Sequence, residues 1–145
     1  MKKCCYAVLL ILGVGCAGQR PAELGVNQKK LNGCPDKSNC VSSFATSEKH
    51  MIDPIGLKVT GPAEMDKFVS IVEKMGGKVV TKEGGTYIYA EFTSTVFRFV
   101  DDVEIYINSD AGKAFIRSAS RIGESDFGVN RKRMEELRFR YHQML

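Results

Sequence analysis

A chain of 145 residues, 43% hydrophobic and 26% charged, has room for one domain with a modest core and lacks the compositional bias of a disordered chain. The formal charge is +4, and setting Lys2 and Lys3 aside from the 21 basic side chains leaves 19 against 17 acidic ones. So weak a balance gives no electrostatic case for nucleic acid or an anionic lipid surface as the partner.

The chain opens with Lys2 and Lys3, an apolar run from Tyr6 to Val14, and the small residues Gly15-Cys16-Ala17-Gly18. The apolar run is too short to span a bilayer as a helix, and the layout is that of a secretory signal. Gly13-Val14-Gly15-Cys16 resembles a bacterial lipoprotein signal, in which the cysteine is diacylated and becomes N-terminal; the usual leucine is displaced to Leu12. Residues 1–16 are then a signal with Cys16 retained, and acyl (palmitate) chains supply the membrane affinity. Ala17 after the cysteine resembles the sorting pattern of a Gram-negative outer membrane. Ordinary cleavage after Ala17 is the alternative.

Residues 17–32 are polar, with Pro21, Gly25 and Lys29-Lys30, and read as a tether lifting a single domain, residues 33–145, off the membrane. Cys4 and Cys5 leave with the signal, so Cys34 and Cys40 remain to pair. In an exported chain an isolated pair favours a disulfide, worth about 2–2.5 kcal/mol for so short a loop. Metal binding needs more ligands than two sulfurs at this spacing, and no CxxC or HxxxH adds to them. Residues 33–57 have no clear period and read as an irregular, disulfide-pinned surface segment.

Pro62 opens the first predicted helix, which Gly76-Gly77 ends. Met65, Phe68, Val69, Ile71, Val72 and Met75 form its apolar stripe, with Glu64, Asp66, Lys67 and Ser70 on the polar side. Four predicted strands follow: Lys78 to Lys82, Thr86 to Thr93, Phe97 to Ile107 and Lys113 to Ser120. Glu83-Gly84-Gly85 joins the first two as a hairpin. A last helix runs from about Val129 to Gln143, with Met134, Leu137, Tyr141 and Met144 at helical spacing. The expected fold is an α+β two-layer sandwich of order α-β-β-β-β-α, with a four-stranded antiparallel sheet and both helices on one face.

Read at period two, the third strand puts Asp101 in the middle of an apolar face with Phe97, Phe99, Val103, Ile105 and Ile107. A carboxylate there needs a partner, or a β-bulge near Val100 that turns it to water. Setting Asn108 opposite Lys113 brings Asp101 opposite Ser120, Val103 opposite Ser118 and Glu104 opposite Arg117. The core-facing trio is then Asp101, Ser118 and Ser120, with Glu104 and Arg117 behind it and Arg131 or Arg121 as the cation for Asp101. On this reading Asp101→Ala destabilises more than Asp102→Ala. Asp102, Arg121, Asp126, Asn130, Arg131 and Arg133 extend the cluster, and Asp126 or Asn130 can cap the last helix. A structural network, a ligand site and a catalytic site all remain open for it.

CPDKSNCVSS, His50-x-Ile52-x-Pro54, FVDDVEIYI and RSASRIGESDFGVNRKRMEELR together resemble the bacterial and organellar family called domain of unknown function 1499, over about Cys34 to Leu137. The resemblance implies no particular reaction. Nothing surrounding Ser42 or Ser43 reads as a nucleophile elbow for His50, and His142 sits on a polar helix end. Asp101 and Asp102 point to opposite faces, so no metal site is expected, and no cofactor is implied. The leading expectation is a non-catalytic envelope lipoprotein domain. Its partners are the bilayer, through the acyl anchor, and a small anionic ligand or an envelope protein; nucleic acid is not among them. The alternative is an envelope hydrolase or transferase using Asp101, Asp102, Glu104 and Arg117.

Overall fold

The computed structural model describes residues 17–58 and 61–144; the stretch expected to be a signal, with Cys16, lies outside them. The elements are β1 (Cys40–Ser42), β2 (Ile55–Gly56), α1 (Ala63–Lys74), β3 (Lys78–Glu83), β4 (Tyr87–Thr93), β5 (Val100–Asn108), β6 (Lys113–Ser120) and α2 (Val129–Gln143). Among the described residues no helix is long and apolar enough to cross a membrane.

The sheet has six strands, not four. Its order is β1-β6-β5-β4-β3, with β2 also paired to β6, and every pairing is antiparallel. The two additional strands come from the segment expected to be irregular. At three and two residues they are too short to carry a period, and it is the free edge of β6 that pairs both of them into the sheet. The β5–β6 register is the one expected, from Asn108 opposite Lys113 to Asp101 opposite Ser120. No bulge interrupts β5; the register shift lies in β3, between Val79 and Thr81.

The third predicted strand starts late. Residues 94–99 form a loop, closed by the Ser94 N–H to the Phe99 carbonyl at 2.8 Å and the Phe99 N–H to Ser94 Oγ at 2.9 Å. Arg98 takes φ 58°, outside the strand region. Phe97 and Phe99 therefore belong to no face of β5 and remain exposed.

Both helices cover one face. Ile88, Ala90, Val103, Ile105, Ile107 and Ile116 from the sheet pack there against Phe68, Ile71, Val72, Met134, Leu137 and Tyr141. Met144 stays exposed, and Glu64, expected on the polar side of α1, is fully buried. Its carboxylate accepts from Tyr141 Oη at 2.5 Å and from Lys67 Nζ at 2.8 Å, which supplies the partners a buried charge requires. Burial, then the bond to Glu64, pushes the Tyr141 hydroxyl up to about 12.

The opposite face is covered too. Tyr87, Tyr89 and Tyr106 gather there with Leu31, flanked by Leu24, Phe44 and Phe115. The stretch expected as a tether supplies this cover. Arg20 reaches Glu91 at 2.6 Å, the Gly25 N–H donates to Glu104 Oε1 at 2.8 Å, and Leu31 is buried. Residues 18–33 thus form a strap across the sheet.

Candidate functional site

Alternation along β5 sends its acidic residues to opposite faces, and each face builds its own polar network. On the helix face Asp101 pairs with Arg133 Nη2 at 2.6 Å. The cation is therefore Arg133, one helical turn from the start of α2, and neither Arg131 nor Arg121. Arg133 also donates to Asn130 Oδ1 at 2.7 Å and Ser118 Oγ at 3.1 Å, and its guanidinium lies 4.7 Å from the Phe92 ring centroid. Asn130, fully buried, binds the Ser118 hydroxyl and donates to Ser120 Oγ at 2.9 Å and to the Asn39 carbonyl at 3.1 Å. The expected trio of Asp101, Ser118 and Ser120 does sit together, at the rim of the helix-side core, locked to α2.

Under the strap the network is deeper. Asp102 is 1% exposed and accepts from Arg121 Nη2 at 2.8 Å and Tyr89 Oη at 2.7 Å. Glu104 is 0% exposed and is held by Tyr87 Oη at 2.9 Å, Arg117 Nη1 at 3.1 Å and the Gly25 N–H. Burial and the adjoining carboxylates push both phenols well above their ordinary range. The bonds to Asp102 hold the Arg121 guanidinium above its ordinary value. Glu91 joins Arg20, Arg121 and Tyr89. Burial would raise its carboxyl, but the three hydrogen bonds outweigh that and hold it at about 2.

The remaining candidates scatter. Asp126 accepts from the Gly128 and Asn130 N–H groups at 2.9 and 2.8 Å, tying down the start of α2. Arg131 donates to the Lys49 and Met51 carbonyls. Cys34 and Cys40 are bonded, with their Cα atoms 5.7 Å apart. Ser42 Oγ donates to the Asn32 carbonyl, and Ser43 Oγ accepts from the Ile116 N–H. His50 is buried with Nδ1 3.0 Å from the Cys40 carbonyl, and its Nε2 has no partner among the described residues. Among those residues no group of three or more His, Cys, Asp or Glu is placed to hold a metal ion.

Sequence reasoning missed Tyr87, Tyr89, Glu91, Arg20 and Asn39. Period two on β4 places Tyr87, Tyr89 and Glu91 on one face, and the β4–β5 pairing sets them opposite Tyr106, Glu104 and Asp102. That signal was present in the sequence. Arg20 carried none, because its segment showed no period.

Between the strap, the disulfide loop and the end of β6 lies a cleft of about 450 Å³. Arg117, Arg121 and Lys37 line it, with Asp102 at its floor and Glu23 and Asn32 at its strap wall. The two guanidiniums are held nearly out of water, at 11% and 7% side-chain exposure, while Lys37 is half exposed and paired with Glu124. Carboxylates at 3.1 Å and 2.8 Å partly neutralise them, so the cleft is a cation-lined pocket rather than a strongly positive one.

Fold and site together define an α+β domain with helices on one side of an antiparallel sheet and a polar-clamped strap on the other. Residues 30–140 match the family described as Protein of unknown function (DUF1499), and the chain belongs to that family. Neither a curated protein nor a solved structure matches it.

Proposed function

We propose that the protein is a lipid-anchored domain of the cell envelope that binds a small anionic ligand in the cleft beneath the strap and performs no chemistry on it. The cleft carries this reading: Lys37, Arg117 and Arg121 converge on one concave surface large enough for a small anion. The signal-like segment ending at Cys16 supports the anchor, and mass spectrometry of the native protein should find a diacylglyceryl adduct on Cys16. A mature chain beginning at Gly18 would remove it. The hydrolase or transferase alternative needs its acidic residues on a common surface. Asp101 lies across the sheet from Asp102 and Glu104, and Glu104 is fully buried by its partners.

Thermal melts of the full chain with inorganic phosphate, citrate and chloride test the cleft. Phosphate or citrate should raise the Tm beyond chloride at equal ionic strength, and Lys37→Glu should remove most of the rise. Lys37 is a surface residue whose ion pair contributes little to folding, so the variant should fold normally. Identical melts in all three salts would refute the ligand reading.

A further inference from the structure

The tether expected between membrane and domain is folded onto the domain, and this changes where the bilayer lies. Gly18 takes φ +69° and sits so close to the residues after β6 that an added Cβ would be 2.9 Å from Arg121 Cβ and Ile122 Cγ2. Only Ala17 separates Gly18 from Cys16. Two residues of extended chain span about 7 Å at most, so an acyl anchor attached two residues before Gly18 would have little chain with which to hold this end of the sheet off a bilayer. A headgroup layer is of the same thickness, roughly 5–7 Å.

The same end carries the largest apolar exposure. In an antiparallel sheet the β4–β5 loop and the exit of β6 lie together, and the Arg121 N–H donates to the Val100 carbonyl at 3.1 Å. In that loop Val96 is 79% exposed and Phe97 69%, with the Phe97 ring stacked on Phe99 at 5.5 Å between centroids. Phe127, beyond β6 and just before α2, is 91% exposed. The loop is held by the two Ser94–Phe99 hydrogen bonds, so these rings are presented rather than left loose. At the opposite end, the β3–β4 and β5–β6 turns are Glu83-Gly84-Gly85-Thr86 and Ser109-Asp110-Ala111-Gly112, which display no large apolar side chain.

We infer that this end of the domain rests directly on a phospholipid bilayer, with Val96, Phe97 and Phe99 inserted among the headgroups and upper acyl chains. The inference rests on the acylation of Cys16 proposed above. Aromatic and branched side chains on a preformed loop suit that interface, and the anchor removes most of the entropic cost of bringing them there.

The chain contains no tryptophan, so one introduced indole reports its own surroundings. Phe97→Trp, with Val96→Trp as a second loop variant, should be produced as the full chain in a bacterial host that acylates lipoproteins. Phe139→Trp, exposed on α2 well away from this end, is the control. Each is reconstituted with vesicles of phosphatidylethanolamine and phosphatidylglycerol, with flotation measured alongside fluorescence. All three should float. Indoles at 97 and 96 should shift to the blue and lose most of their emission to phospholipids brominated high on the acyl chain, while the one at 139 is unchanged. Flotation with both loop indoles still in water would overturn the inference and leave the anchor standing. Failure to float would overturn the anchor and this inference with it.

Discussion

Asp101 and Asp102 are adjacent in sequence and unequal in surroundings. Asp102 is 1% exposed and bonded to Arg121 and Tyr89, so Asp102→Ala leaves a buried guanidinium and phenol with Glu91 as their one remaining carboxylate and should cost about 3 kcal/mol, the low end for a broken buried pair. Asp101 has 13% side-chain exposure and one ion pair with Arg133, which keeps Ser118 and Asn130 as partners when the carboxylate is lost. Asp101→Ala should cost about 1.5–3 kcal/mol. Urea melts of the two variants at neutral pH measure the difference, and a larger loss for Asp101→Ala would contradict this assignment of burial. The ranking is opposite to the one that alternation alone predicts. Alternation identifies the face that meets the helices, but it does not reveal that the strap seals the other face more tightly.

The long elements were legible because their apolar positions repeat. The spacing of Phe68, Ile71 and Val72 in α1 and the turn residues between β5 and β6 led to the right elements and the right register. The errors fall where a tertiary partner decides. β1 and β2 exist only because β6 offers an unpaired edge, and Phe97 and Phe99 look like strand residues until the Ser94–Phe99 bonds divert the chain. Glu64 reads as a solvated charge until Tyr141 arrives from α2, 77 residues away. The joint between α1 and β3 supplies an element-scale test. A Cβ on Gly77 would lie 2.5 Å from Phe92 Cζ and 2.8 Å from Val72 Cγ1. Both neighbours are buried, so Gly77→Ala should destabilise by about 1–3 kcal/mol through overpacking. Chemical denaturation should show it as a lower midpoint at unchanged slope.

At the scale of the whole molecule the strap is tied to the sheet through Glu91, and Glu91 is its acid-sensitive clamp. The Glu91 carboxyl lies at about 2 in the folded protein, against an ordinary value of 4.5. The unfolded chain therefore takes up the proton first. The stabilisation from this group is complete above pH 4.5 and is lost as pH falls toward 2. Its magnitude is moderated by the partial exposure of Arg20. Melts across that range should show a steeper loss of stability for the natural chain than for Glu91→Gln, and the two acid limbs should converge near pH 2. Parallel limbs would mean that another carboxylate governs acid unfolding.

The strap also constrains the order in which the chain can acquire its structure. Arg20 meets a residue 71 positions later, Gly25 one 79 later, and Asn39 one 91 later. β1 and β2 in turn wait for β6. A chain emerging N-terminus first can close the Cys34–Cys40 loop, six residues apart, and little else of its first half. The strap stays open until β4 and β5 arrive, and β1 and β2 until β6 does, because distant contacts return nothing until the intervening loops have been closed. Under the proposed export, that delay would keep the segment nearest the anchor extended and threadable until nearly all of the domain has crossed.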